Sequence, residues 1–111
     1  MPAQPVRLTF EGHDGAELSA RLDLPTGRVR AYALFAHCFT CGKDIFAARR
    51  IAETLTARGF GVLRFDFTGL GHSEGEFANT TFTSNLEDLK AAAAALEARD
   101  RGPALLVGHS L

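Results

Sequence analysis

Two kinds of apolar patterning divide the chain. Val6-Arg7-Leu8-Thr9-Phe10 alternates apolar and polar residues, and so does Leu18-Ser19-Ala20-Arg21-Leu22-Asp23-Leu24, which halts at Pro25. Between them lies the turn-rich Glu11-Gly12-His13-Asp14-Gly15. Two alternating runs around such a turn predict an antiparallel hairpin with one solvated face. Three later runs, Tyr32–His37, Val62–Phe67 and Ala104–Gly108, are mainly apolar instead. That is the pattern of parallel strands covered by helices on both faces.

Helical periodicity fills the gaps between those runs. Asp44 is a predicted N-cap, Ala48, Ile51, Ala52 and Leu55 form one stripe, and Arg58 with Gly59 supplies a C-terminal stop. Further on, Ser84 and Glu87 have capping-box spacing, Leu86, Leu89, Ala93 and Leu96 share one face, and Gly102-Pro103 closes the segment. The predicted order is hairpin, strand, helix, strand, helix, strand. It implies an α/β fold, a three-layer sandwich with right-handed crossovers.

Composition adds exclusions. At 111 residues, 46% hydrophobic and 23% charged, the chain has the balance of a single globular domain, with no repeat or dividing linker. A formal net charge of −1 with interspersed signs gives no nucleic-acid stripe and no membrane-binding patch, so a small molecule is the expected partner. The N-terminus lacks a signal-peptide pattern, and no apolar run approaches the ~18 residues of a membrane span. Cys38 and Cys41 are too close in sequence to staple distant segments, which fits a reducing compartment; the expected location is cytoplasmic.

Three motifs carry candidate chemistry. The last strand runs into Gly108-His109-Ser110-Leu111, a match to the strand-to-turn half of the G-x-S-x-G nucleophile elbow, with the second glycine due at the next position. His37-Cys38-Phe39-Thr40-Cys41-Gly42 follows the first buried strand, where acyl-transfer enzymes place an oxyanion-binding loop. The backbone N–H groups of Leu111 and Phe39 are the candidate donors, and His37 is a candidate for shaping that loop rather than transferring protons. Asp66-Phe67-Thr68-Gly69-Leu70-Gly71-His72-Ser73-Glu74-Gly75 is glycine-rich but lacks the prompt helix and the later acidic residue of a dinucleotide site, so it is a turn-rich loop.

Together these motifs resemble the α/β-hydrolase superfamily over nearly the whole chain. The block Phe35–Asp44 with Leu63–Gly71 is similar, more narrowly, to the hydrolase half of bacterial proteins that fuse an α/β-hydrolase to an OsmC-type domain. The resemblance implies Ser110 as nucleophile, Phe39 and Leu111 as oxyanion-hole donors through their amides, and His37 as the histidine of the usual His-Gly pair. Cys38 departs from that pair's glycine, and Thr68 stands where many members have arginine. It also implies a serine hydrolase of the esterase and peptidase kind, acting on a small acyl substrate through an acyl-enzyme without a cofactor or metal. The triad acid and base follow the serine in such chains, whereas all four histidines here precede Ser110. Residues 1–111 are thus expected to be a partial domain ending at the nucleophile elbow, inactive alone.

Two other classes remain open. Cys38-Phe39-Thr40-Cys41 is a C-x-x-C between strand and helix, compatible with thiol redox activity, although Gly42-Lys43-Asp44 separates it from the helix. A degenerate hydrolase that only holds a ligand is the other; zinc binding lacks the paired spacing of a structural site.

Overall fold

The computed structural model describes residues 4–37, 43 and 45–109. Strands β1 (Gln4–Glu11) and β2 (Glu17–Leu24) form the predicted hairpin, in register Leu8↔Ala20. A 3-10 turn at His13–Gly15 joins them, closed by the Gly12 N–H bond to Ala16 O (2.8 Å). β3 (Ala31–Ala36), α1 (Phe46–Ala57), β4 (Phe60–Phe65), α2 (Phe82–Arg99) and β5 (Leu105–Gly108) follow.

The sheet order is β1-β2-β4-β3-β5. β2 runs antiparallel to β4, while β4, β3 and β5 are mutually parallel. The two faces bury different sets. Leu18, Ala20, Leu22, Leu34, Leu63 and Phe65 pack with Ala92 and Leu96 of α2 on one side. Ala33, Phe35 and Val62 pack with Ala48 and Ala52 of α1 on the other. This is the expected three-layer arrangement, a mixed open sheet between helical layers. Truncating one of the fully buried leucines, such as Leu22 or Leu63, would cost about 2–5 kcal/mol.

The helix starts differ from the sequence reading. The N-cap position of α1 is Ile45, with no side-chain cap, and Asp44 lies outside the described residues. α2 begins earlier than Ser84–Glu87 implies. Thr81 is its N-cap, and Ser84 is the third residue of a reciprocal box: Ser84 N–H donates to Thr81 Oγ1 (3.0 Å) and Thr81 N–H to Ser84 Oγ (2.7 Å). Leu86 is exposed rather than part of the buried face, which runs Ser84, Asn85, Asp88, Ala92 and Leu96. The first turns of α2 therefore bury polar side chains. Asp88 answers the obligation of a buried carboxylate by accepting His13 N–H at 2.7 Å and Thr68 N–H at 2.8 Å. Gly59, as expected, ends α1 at φ +92°.

Candidate active site

Parallel strands deliver their C-terminal ends to one rim of the sheet, where sites in open α/β folds are built. Here β3 ends at Ala36 and leads into His37, and β4 ends at Phe65 and leads into Asp66. Both side chains are almost fully buried.

Asp66 is the hub. Its Oδ1 accepts Lys43 N–H at 2.7 Å and lies 3.6 Å from His37 Nε2. Its Oδ2 accepts the Lys43 ammonium at 2.8 Å and His72 N–H at 3.0 Å. One carboxylate thus gathers both residues that bracket positions 38–42 and the turn at 69–73. Burial alone would push the Asp66 carboxyl up. The Lys43 ammonium and the two N–H donors outweigh it and hold the group below its ordinary 3.8, charged at neutral pH. Gly71 makes room for this: at φ +54°, any Cβ there would meet the carboxylate itself.

Lys43 is fixed at a third point. Its carbonyl accepts the Arg64 guanidinium at 2.7 Å, and Arg64 Nε donates to Asp23 Oδ2 at 2.8 Å. A chain of buried charges therefore runs Asp23–Arg64–Lys43–Asp66 across β2, β4 and the loop beyond β3. Breaking such a buried pair by removing one partner is strongly destabilising, because the other charge is left without compensation.

The turn after Asp66 is tied down independently. Ser73 Oγ donates to Asp66 O at 2.5 Å and accepts Ser19 N–H at 2.9 Å, and Thr68 N–H is held by Asp88. Threonine in place of the usual arginine at position 68 thus leaves this loop anchored. On the β5 side, His109 N–H donates to Ala36 O at 2.9 Å and the His109 ring stacks on Phe35. The end of β5 is in this way locked to the end of β3, next to His37, whose ring also meets Phe67 edge-on.

Of the residues singled out in sequence, His37 lies at this rim. Ser110, Phe39, Leu111, Cys38 and Cys41 lie outside the described residues. Lys43, Arg64 and Asp23 were not legible as site residues, since each is an isolated charge in its own segment. Asp66 and Ser73 belong to the Asp-x-x-Gly-x-Gly-x-Ser pattern, which contributes to the family resemblance as a turn-rich loop without assigning either residue a role.

The profile of the alpha/beta hydrolase family matches residues 33–111. The chain belongs to that family. Among solved structures, Est1E from Butyrivibrio proteoclasticus with ferulic acid bound is 27% identical, with a TM-score of 0.83, over 93% of this chain and 43% of its own. The esterase domain of a Rhodothermus marinus protein is 50% identical, with a TM-score of 0.74, over 96% of this chain and 40% of its own. An α/β serine hydrolase without a lid from Xanthomonas campestris is 27% identical, with a TM-score of 0.78, over 97% and 51%. The chain thus spans about half or less of the length of these hydrolases. Curated proteins give no match. No helix among the described residues is long and apolar enough to cross a membrane.

Proposed function

We propose that this α/β-hydrolase chain is the nucleophile-bearing part of a serine hydrolase that cleaves esters or related acyl substrates. The observation that carries this is the Asp66 hub: one buried carboxylate fixes His37 and Lys43, the residues on either side of the oxyanion-loop positions, at the rim that β5 enters. Preorganised donors are where such enzymes gain most, and a missing oxyanion donor costs about 10²–10³ in kcat.

In this reading the hydroxyl oxygen of Ser110 attacks the substrate carbonyl carbon as a general base takes its proton. The N–H groups of Phe39 and Leu111 stabilise the resulting oxyanion, and His37 positions the loop. Collapse of the tetrahedral intermediate expels the alcohol, protonated by the same base, and leaves an acyl-enzyme. Water then attacks that ester and restores the serine. The acid and base come from later chain, so residues 1–111 form a partial domain that is inactive alone. The cytoplasmic location and an OsmC-type domain following the hydrolase belong to the same reading. The esterase domain at 50% identity supports the substrate class.

The test is hydrolysis of p-nitrophenyl acetate by the protein carrying its whole hydrolase domain. Ser110→Ala is expected to lower kcat at least about 10³-fold, while the 111-residue chain releases no Ser110-dependent burst. Full activity in the alanine variant overturns the assignment.

A further inference from the structure

β1 is an edge of the sheet, paired on one side alone among the described residues. Its register with β2 decides which of its backbone groups are already used. Gly12 N–H donates to Ala16 O, in the same alignment that sets Leu8 opposite Ala20. Across β2, Asp66 N–H donates to Ser19 O, so the odd-numbered residues of β2 bond to the β4 side. Hydrogen-bonded pairs alternate along an antiparallel ladder. Val6, Leu8 and Phe10 therefore bond to β2, and the N–H and C=O groups of Arg7, Thr9 and Glu11 point away from the sheet. Pro5 guards the start of the strand, having no N–H to offer, and no proline follows it along β1. His13 N–H, beyond the other end, is taken by Asp88.

Arg7, Thr9 and Glu11 also have exposed side chains, while Val6, Leu8 and Phe10 pack against the core. Within the hairpin each charge faces its like: Arg7 lies opposite Arg21, and Glu11 opposite Glu17. Like charges directly opposite one another are destabilising. Arg21 reaches Asp23 at 3.8 Å, but Arg7 and Glu11 enter no ion pair among the described residues. The outer edge is thus positive at Arg7 and negative at Glu11, with Thr9 midway. An antiparallel strand of the same sequence meets that edge head to tail. Aligned about Thr9, it sets Arg7 opposite the partner's Glu11. Alignment about Arg7 or Glu11 brings like charges together, and alignment about Leu8 or Phe10 sets both charges against Pro5, Thr9 or His13.

We infer that β1 is a self-association edge, to which a second copy of this chain adds its own β1 antiparallel across a two-fold axis at Thr9. Thr9 then meets the partner's Thr9, and Arg7 and Glu11 meet the partner's Glu11 and Arg7, with about two main-chain hydrogen bonds at each pair. On the core side Leu8 meets the partner's Phe10. The contact is isologous and closes on itself, so it makes a dimer rather than a fibre. Ser110 takes no part in it, so its failure and that of the hydrolase assignment are separate results.

Sedimentation equilibrium of the protein carrying its whole hydrolase domain tests it. The expected result is a monomer–dimer equilibrium that Arg7→Glu and Glu11→Arg each weaken at least about tenfold, because each turns two attractions into two repulsions. Both positions are exposed, so the variants retain the fold. The double variant R7E/E11R recovers the parent dimer. An equimolar mixture of the Arg7→Glu and Glu11→Arg proteins forms a mixed dimer tighter than either makes alone, which misfolding of a variant would not produce. Thr9→Cys, with its two Cα atoms about 5.5 Å apart across the axis, gives a cross-linked dimer on mild oxidation, beyond any formed by the parent protein. A monomer up to millimolar concentration overturns the inference. So does a dimer that neither charge reversal weakens, or one that the double variant fails to recover.

Discussion

β4 and β5 both aim at the candidate active-site rim, yet they are held there in opposite ways. β4 is central, paired on both sides, with Val62, Leu63 and Phe65 fully buried and Asp66 beyond its end locked by three donors. β5 pairs only with β3 among the described residues and exposes Leu105 and Leu106. The β4 side of the rim is therefore braced from within this chain. The β5 side rests on a short backbone ladder and two added bonds, Ala104 N–H to Tyr32 O and His109 N–H to Ala36 O.

From that contrast, Asp66→Asn has the largest effect. It leaves the Lys43 ammonium without its buried counter-charge, and urea denaturation is expected to register a loss of about 3–5 kcal/mol. Asp88→Ala comes next. It strips the acceptor from the His13 and Thr68 amides and lowers stability by about 3 kcal/mol in the same measurement.

A smaller change comes from acid. Because folding depresses the Asp66 pKa, its contribution is present at neutral pH and fades as pH drops past 3.8 toward the lower folded value. Melting temperatures from pH 7 to 3 should fall less steeply in Asp66→Asn than in the parent. The smallest effect is predicted on β5: Leu106→Ser, at an exposed site, shifts stability within about 0.5 kcal/mol while reducing aggregation measured by light scattering. A loss above about 2 kcal/mol there would erase the contrast between the two strands.

What the sequence disclosed follows the same division. The hairpin, the three parallel strands, the Gly59 stop and the layer order were legible because they depend on apolar periodicity and on turn residues. The start of α2 was not. Ser84–Glu87 satisfies the usual box spacing, but the observed box closes one turn earlier through Thr81 and Ser84, and the face it leads into is polar. Hydrophobicity cannot mark Ser84, Asn85 and Asp88 as buried, because their partners, such as His13 N–H 75 residues away, are remote in sequence. The Asp23–Arg64–Lys43–Asp66 chain was hidden likewise: charge complementarity between separate segments leaves no local period.

The Arg7↔Arg21 and Glu11↔Glu17 pairs carry a last consequence. Sliding the hairpin by two residues on each strand would set Glu11 across from Arg21, an arrangement its visible side prefers. That slide keeps Leu18 and Leu22 on the hidden side, but their places among Leu34, Leu63 and Phe65 and the β2–β4 register Ala20↔Phe65 overrule it. The hairpin is thus locally frustrated, and its alignment is borrowed from the rest of the fold. A peptide of residues 4–24, cut away from that support, has little reason to keep it.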